Sequence, residues 1–284
     1  MKNTSSISPN NSITSLCIGK FDGVHIAHQA LLLQSDVNGG VLIVGMDHTP
    51  SLTPKQEDFI NLPVFRIRLE EVREMGAGEF AAFLCSRFPK LKKIIVGYDF
   101  RFGKNRSCVP QDLGEFFEVC VMDEICLDGI SVHRQAILSD LVHGNLERAN
   151  QMLGRCYEIK GHIIKGQGRG REECVPTLNL EVDQYALPKS GVYATMSKRR
   201  GVWYQSVSFL GHRLSSDRSF AIETHVLDVD LDGDEVGECV SVAFVAFIRS
   251  NQRFENLALL QTQIAKDIQK ARELLIPSSI CLQS

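Results

Sequence analysis

The 284-residue sequence contains no run approaching 18 consecutive apolar residues, so nothing in it predicts a membrane-spanning helix. Residues 1–12 are polar, rich in Ser and Asn, and lack the apolar centre of a signal peptide. The nine cysteines include no C-x-x-C pair, which argues against a zinc knuckle or a disulfide framework. These absences predict a cytoplasmic protein with no membrane partner.

An excess of charge of one sign is also absent, because 31 Lys and Arg stand against 34 Asp and Glu and the formal net charge is -3. Such a balance provides no overall basic field for nucleic acid, and we expect no nucleic-acid partner. With 44% hydrophobic and 23% charged residues, the composition is that of a globular protein. The length favours two domains and leaves the oligomeric state open, a monomer included.

The first half of the sequence alternates apolar, strand-like runs with helical patterns. Strands are expected over 15–18, 40–46 and 93–96, and helices over 27–33, 70–73 and 79–87. This alternation predicts an α/β domain with a Rossmann-like parallel sheet.

The second half changes to short β-rich runs separated by Gly, Pro and Asn. The runs at 162–164, 191–196, 202–209, 221–227 and 240–248 predict a small antiparallel β-barrel. Apolar residues at steps of three or four from Phe254 to Leu275 predict a long C-terminal helix. A further helical pattern over 140–153 places the domain boundary near residue 150, giving domains 1–150 and 151–284.

The stretch GKFDGVHIAH, residues 19–28, places His25 and His28 three residues apart, after a predicted strand and a glycine turn. A helix that starts there presents unpaired backbone N–H groups, which suit a phosphate. Two imidazoles can donate hydrogen bonds to phosphoryl oxygens as negative charge builds on them. The alternative is that they are polar residues at a helix cap. The predicted phosphate-binding loop also includes Gly19, Phe21 and Gly23.

A second candidate site is the stretch KGQGRGREECVPTLNL, residues 165–180. Glycines let backbone amides approach phosphates closely, and arginines add positive charge. The predicted polyphosphate loop consists of Gly166, Gly168, Arg169, Gly170 and Arg171. Thr177 and Asn179 share one face of an extended strand and offer oxygen ligands for a magnesium nucleotide. A glycine- and arginine-rich loop alone equally fits a flexible surface turn.

The stretch GKFDGVHIAHQALL resembles the F-D-G-V-H-x-G-H-Q signature of the bacterial bifunctional riboflavin kinase/FMN adenylyltransferase (FAD synthetase) family. Residues 51–59 and 94–107 are similar to stretches of that family in order and spacing. The resemblance implies an N-terminal nucleotidyltransferase domain in which His25 and His28 are catalytic and hold the phosphates of ATP. It also implies that Asp99, Phe100 and Phe102 bind flavin, although the two phenylalanines equally fit positions that face the core.

In the second half, the P-T-x-N element and LPKSGVYA at 187–194 resemble the riboflavin kinase module, and ETHVLD at 223–228 resembles its E-T-H-L-L-D strand. The resemblance implies that Glu223 is the general base on the ribityl 5'-hydroxyl, with Mg²⁺ at Thr177 and Asn179. A solvated strand residue is the alternative for Glu223. The implied activity is ATP-dependent phosphorylation of riboflavin to FMN, followed by adenylylation of FMN to FAD.

Several positions depart from the family pattern. Ala27 stands where a glycine separates the two histidines, and Arg213 is followed by Leu-Ser where the family has R-P-T. The segment 132–138 lacks the serines and the final arginine of I-S-S-T-x-I-R. We expect His133 and Arg134 to supply the missing phosphate contacts; otherwise the adenylyltransferase site is impaired.

Three other functions therefore stay open. A riboflavin kinase with an impaired N-terminal domain is the main alternative. A flavin-binding protein without turnover would retain the fold but consume no ATP. A different H-x-G-H nucleotidyltransferase, acting on another phosphorylated alcohol, would leave the second half without a purpose.

Overall fold

The computed structural model describes residues 9–45, 50–166, 175–214, 218–229 and 236–276. Internal contacts divide the chain into two units, residues 1–134 and residues 135–284. The functional boundary near residue 150 stays a prediction. Within the described ranges, no helix has both the length and the apolar character needed to cross a bilayer.

The first unit is built on a parallel sheet. Its strands are β1 (Ser15–Gly19), β2 (Gly39–Gly45), β3 (Val64–Arg68), β4 (Lys93–Gly97) and β5 (Glu118–Met122), in the order β3-β2-β1-β4-β5. Its helices are α1 (Ile26–Leu32), α2 (Leu69–Val72) and α3 (Ala77–Arg87). A short antiparallel pair, β6 (Cys126–Leu127) and β7 (Ile130–Ser131), follows. The predicted α/β domain is confirmed.

Both faces of this sheet are buried, which explains why its central strands are almost continuously apolar. Side chains alternate along β1, so that Leu16 and Ile18 enter one core cluster and Cys17 enters the other. Phe80 of α3 packs in the first cluster and Leu31 of α1 in the second. The two layers of helices therefore fix the sheet, and with it the loops that leave its carboxyl ends.

The second unit contains a closed antiparallel barrel. Its strands are β8 (Tyr157–Ile164), β9 (Leu178–Glu181), β10 (Gly191–Arg199), β11 (Val202–His212), β12 (Phe220–Val226) and β13 (Cys239–Ser250). Around the barrel they run β10-β11-β12-β9-β8-β13. The helices α4 (Arg134–His143) and α5 (Leu146–Leu153) precede it, and α6 (Leu257–Leu275) follows. The predicted barrel and C-terminal helix are confirmed.

The last helix, α6, packs its apolar face on the barrel. Ala271 and Leu275 join a buried cluster with Ala194 of β10 and Ala243 of β13. Asp267, with only 5% of its side chain exposed, forms an ion pair of 2.7 Å with Arg249 of β13. The three- and four-residue spacing in the sequence therefore reflects a helix that covers the barrel on one side.

One face of β10, β11 and β12 carries five fully buried hydroxyl groups. Ser206 bonds to Ser197 at 2.7 Å and to Thr195 at 2.8 Å, and Ser208 bonds to both Thr195 and Thr224 at 2.9 Å. Buried polar groups require hydrogen-bond partners, and these hydroxyls supply them for one another.

A buried carboxylate joins α4 to α5. Asp140 accepts hydrogen bonds from Arg148 Nε at 2.8 Å, from Arg148 Nη2 at 2.5 Å and from Asn145 Nδ2 at 3.2 Å. The bond from Arg148 lowers the pKa of this carboxyl group; the Asn145 bond adds to the effect, and burial opposes it. The carboxylate therefore stabilises the folded chain most when it is charged.

We expect Asp140→Asn to lower the free energy of unfolding by about 2 kcal/mol near pH 7, because Arg148 loses a charged acceptor in a buried site. The folded pKa lies below the ordinary value of 3.8, so the stabilisation is complete above that value and is lost as the pH falls through the folded pKa. Urea unfolding of both proteins at about pH 7 and about pH 3 measures the difference. An equal difference in the free energy of unfolding between the wild type and Asp140→Asn at both pH values would contradict this account.

Candidate active sites

The first candidate site lies where the order of the parallel sheet reverses. The chain proceeds from β1 to β2 and β3 on one side, then returns to β4 on the other side of β1. The loops after the carboxyl ends of β1 and β4 therefore flank a crevice, which is where open α/β sheets bind ligands. The first of these loops carries the predicted histidine pair.

The backbone of the histidine loop adopts an unusual conformation. Phe21, Gly23 and Val24 have positive φ angles of 52°, 89° and 40°, and such angles are costly for Phe and Val. Phe21 and Val24 are fully buried in the core beside β1. Gln29 Nε2 donates to the Val24 carbonyl at 3.0 Å. Packing and this bond hold the loop in a shape that the isolated sequence would not favour.

His25 and His28 come together at the start of α1. His25 directly precedes α1, with no side-chain capping hydrogen bond to the helix, and it is buried. The two imidazole rings stack with their centroids 3.7 Å apart and an interplanar angle of 18°. The Phe21 ring lies 4.9 Å from that of His28. The residues identified from the sequence therefore form one compact pair beside a helix N-terminus.

Asp22, which the sequence analysis did not single out, anchors this loop. Its Oδ1 atom accepts hydrogen bonds from Ser51 Oγ at 2.6 Å and from the backbone N–H groups of Leu52 at 2.8 Å and Thr53 at 3.0 Å. These partners are 29 to 31 positions away in the chain, so no local pattern could have identified them. The only local signal for Asp22 was its position before Gly23 in the stretch GKFDGVHIAH.

Arg134 binds the other oxygen of the same carboxylate. Its Nε atom donates to Asp22 Oδ2 at 2.5 Å, and its Nη2 atom donates to the Pro50 carbonyl at 2.7 Å. His133 is exposed. Arg134, the last residue of the first unit, thus holds the histidine loop through its guanidinium. The phosphate contacts expected of His133 and Arg134 stay predictions.

The loop after β4 carries the three predicted flavin-binding residues. Asp99 is exposed, whereas Phe100 and Phe102 are half-buried against the core of the first unit. Their rings lie 5.7 Å apart, and Phe102 is 5.3 Å from Phe80 of α3. These core contacts match the alternative interpretation of the two phenylalanines, and the flavin-binding role stays a prediction.

The second candidate site lies on β9 and β12 of the barrel. Asn179 and Glu223 are direct partners in the antiparallel register of these strands, and so share one face. Arg213 Nε donates to Glu223 Oε1 at 2.6 Å, and Arg213 Nη2 donates to Asn179 Oδ1 at 2.9 Å. Thr177 directly precedes β9, and the face that it was expected to share with Asn179 stays a prediction. The fold therefore unites the P-T-x-N element with the glutamate.

Gly166 lies close to this cluster, just beyond the end of β8. A Cβ atom on Gly166 would lie 2.2 Å from Asn179 Nδ2, well inside contact distance. The absence of a side chain therefore lets the chain pass directly over the Asn179 amide. The other members of the predicted polyphosphate loop, Gly168, Arg169, Gly170 and Arg171, lie outside the described residues.

The donor set here fits magnesium better than a transition metal. Across the described ranges, no group of three or more His, Cys, Asp or Glu side chains is placed to hold a metal ion. Asn179 and Thr177 instead offer an amide oxygen and a hydroxyl. Mg²⁺ prefers oxygen ligands and commonly takes only one or two from the protein, the rest coming from phosphate and water.

The barrel unit is that of a riboflavin kinase: the family model described as "Riboflavin kinase" matches residues 153–275. The bifunctional riboflavin kinase/FMN adenylyltransferase of Escherichia coli strain K12 is 31% identical over 289 residues, covering 91% of each chain. The Listeria monocytogenes protein of the same name is 26% identical and covers 90% of this chain and 91% of its own. The chain therefore belongs to the bifunctional riboflavin kinase/FMN adenylyltransferase family.

The two-unit fold also occurs in a solved structure. The crystal structure of a macrolide-efflux protein from Streptococcus pneumoniae matches 95% of this chain and 97% of its own, with a TM-score of 0.83. The two sequences are 22% identical, so this likeness shows a shared fold alone.

Proposed function

We propose that this protein phosphorylates riboflavin to FMN with ATP in its barrel unit and adenylylates FMN to FAD in its parallel-sheet unit. The observation that carries the proposal is that the similarity to the Escherichia coli bifunctional enzyme extends over 91% of both chains. We propose residues 1–150 and 151–284 as the two catalytic domains, each of which contains one candidate site.

In the kinase step, the attacking group is an unactivated alcohol, so a base that orients it and accepts its proton is useful. Glu223 fills this role in our proposal. Thr177 and Asn179 would hold Mg²⁺, which supplies charge neutralisation at the ATP phosphates when it is bound. Gly166 brings backbone close to Asn179. Gly168, Arg169, Gly170 and Arg171 would bind the phosphates.

In the adenylyl-transfer step, His25 and His28 donate hydrogen bonds to the phosphates of ATP at the start of α1, with the loop from Gly19 to Gly23 around them. Catalysis here consists of positioning and electrostatic stabilisation, so the rigid setting of the loop contributes directly. Asp22 provides that setting through its four hydrogen bonds.

The remaining contacts follow the same proposal. Flavin would bind beside Asp99, Phe100 and Phe102, and His133 and Arg134 would contact the leaving phosphates. We propose a cytoplasmic location, with flavins and ATP as small-molecule partners and the oligomeric state left open.

Incubation of the purified protein with riboflavin, ATP and Mg²⁺, followed by chromatography of the fluorescent flavins, tests the proposal. Formation of both FMN and FAD supports it. FMN alone identifies a riboflavin kinase with an impaired first unit. Flavin binding without ATP consumption identifies a binding protein.

Gly166→Ala is expected to lower kcat/KM for FMN formation by at least about tenfold, because the new methyl group must displace the Asn179 amide. Steady-state assay of FMN formation measures the loss. Gly76→Ala is the matched control, since a Cβ there would meet only Glu79 Oε2, at 3.9 Å. Equal activity of the two variants would show that the close approach at Gly166 has no role in catalysis.

A further inference from the structure

Arg213 lies beside the proposed kinase site. It directly follows β11, and its backbone closes the turn to β12: its N–H donates to the Ser219 carbonyl at 3.0 Å, and its carbonyl accepts from Arg218 at 3.2 Å. Only 19% of its side chain is exposed. These hydrogen bonds therefore fix the backbone of Arg213 beside β12.

Each nitrogen of the guanidinium has a hydrogen-bond acceptor. Nε donates to Glu223 Oε1 at 2.6 Å, Nη1 donates to Ser219 Oγ at 2.7 Å, and Nη2 donates to Asn179 Oδ1 at 2.9 Å. One planar cation thus spans the proposed base and the proposed metal ligand. Lysine cannot reproduce this arrangement, because its ammonium group is a single point donor.

The contact with Asn179 conflicts with metal binding. An amide oxygen that coordinates Mg²⁺ would bring a divalent cation close to a guanidinium that is already within hydrogen-bond distance of the same atom. The two cations repel each other, and partial burial weakens the screening by solvent. The bond between Arg213 and Glu223 joins opposite charges and has no such conflict.

We propose that Arg213 is a positioning residue of the kinase site, which holds Asn179 and Glu223 together in the metal-free protein. When the magnesium nucleotide binds, Nη2 leaves Asn179 while Nε keeps Glu223 in place. Arg213 therefore opposes magnesium binding and supports phosphoryl transfer. This inference rests on the proposed kinase function, and the opposite signs of its two effects distinguish it from a residue that only stabilises the hairpin.

The test compares Arg213→Ala and Arg213→Lys with the wild-type protein. Calorimetric titration with ADP at a series of Mg²⁺ concentrations gives the half-saturating Mg²⁺ without any turnover. Steady-state assays give kcat and KM for FMN formation. Arg200→Ala is the matched control, because Arg200, in the turn between β10 and β11, also pairs with a glutamate, Glu238, which directly precedes β13.

For Arg213→Ala we expect the half-saturating Mg²⁺ to fall about threefold to tenfold and kcat for FMN formation to fall about tenfold or more. Arg213→Lys keeps the cation, so its magnesium requirement stays near the wild-type value while part of kcat returns. Arg200→Ala should change neither quantity.

An unchanged or raised magnesium requirement in Arg213→Ala would overturn the inference, and so would an unchanged kcat. A wild-type protein that forms no FMN would overturn the proposed function instead. The ADP titrations decide the competition between Arg213 and Mg²⁺ in either case, because they require no catalysis.

Discussion

Glu223→Gln is expected to lower kcat for FMN formation by about 10²- to 10⁴-fold, the usual contribution of a general base. Glutamine has the size and shape of glutamate, and its amide oxygen can still accept the bond from Arg213 Nε. It cannot accept the proton of the riboflavin hydroxyl as the phosphoryl group transfers. The loss should therefore appear in kcat, with KM for ATP changed by less than about threefold.

Single-turnover and steady-state assays with riboflavin and magnesium ATP measure this effect. Glu181→Gln is the matched control, because Glu181 lies on the neighbouring strand β9 and is exposed. It should retain FMN formation within about twofold. A Glu223→Gln protein as fast as the Glu181→Gln protein would show that another group takes the proton.

Replacing His25 and His28 together with alanine is expected to lower FAD formation from FMN by about 10²- to 10³-fold, as for loss of preorganised donors at a charged transition state. The two rings stack on each other, so either single substitution also removes the packing partner of the remaining ring. The double variant avoids that ambiguity. Its FMN formation should stay within about twofold of wild type, because the kinase residues lie in the other unit.

Chromatography of the flavin products, with FMN and with riboflavin supplied in separate reactions, measures both activities of one preparation. His162→Ala, an exposed histidine of β8, is the matched control for the loss of an imidazole. Undiminished FAD formation in the double variant would remove the histidine pair from the mechanism.

The sequence predicted those parts of the fold whose signals are local. The apolar runs of β1, β2 and β4 predicted these strands correctly, because both faces of the parallel sheet are buried. The helix α6 could be predicted because its apolar residues recur every three or four positions. The histidine pair was identified in the same way, since the glycine turn, both imidazoles and the helix start lie within residues 19–28.

What the sequence did not predict depends on contacts between distant residues. Asp22 reaches Arg134 across 112 positions, and Arg213 reaches Asn179 across 34. No periodicity relates such pairs, and only the tertiary fold of each unit brings them together. Asn179 and Glu223 were therefore predicted in separate motifs, without Arg213, which bridges them.

The serines and threonines of the barrel illustrate a second limit. Ser206 and Ser208 alternate with apolar residues along β11, a pattern typical of a strand with one solvated face. Closure of the barrel buries that face completely, and the hydroxyls then bond to one another. The alternation of polar and apolar residues correctly predicted the two faces of β11. It could not show that the face with the serines is buried.

The buried hydroxyls form an unbranched chain that runs from Ser197 through Ser206, Thr195 and Ser208 to Thr224. Each hydroxyl has a single proton, so four links among five groups leave one member that donates to no neighbour in the chain. Every other dipole then points toward that member. If one hydroxyl rotates, its neighbour in the chain must rotate as well. The hydrogen-bond direction is therefore a collective property of the hydroxyls on three strands, and no single residue determines it.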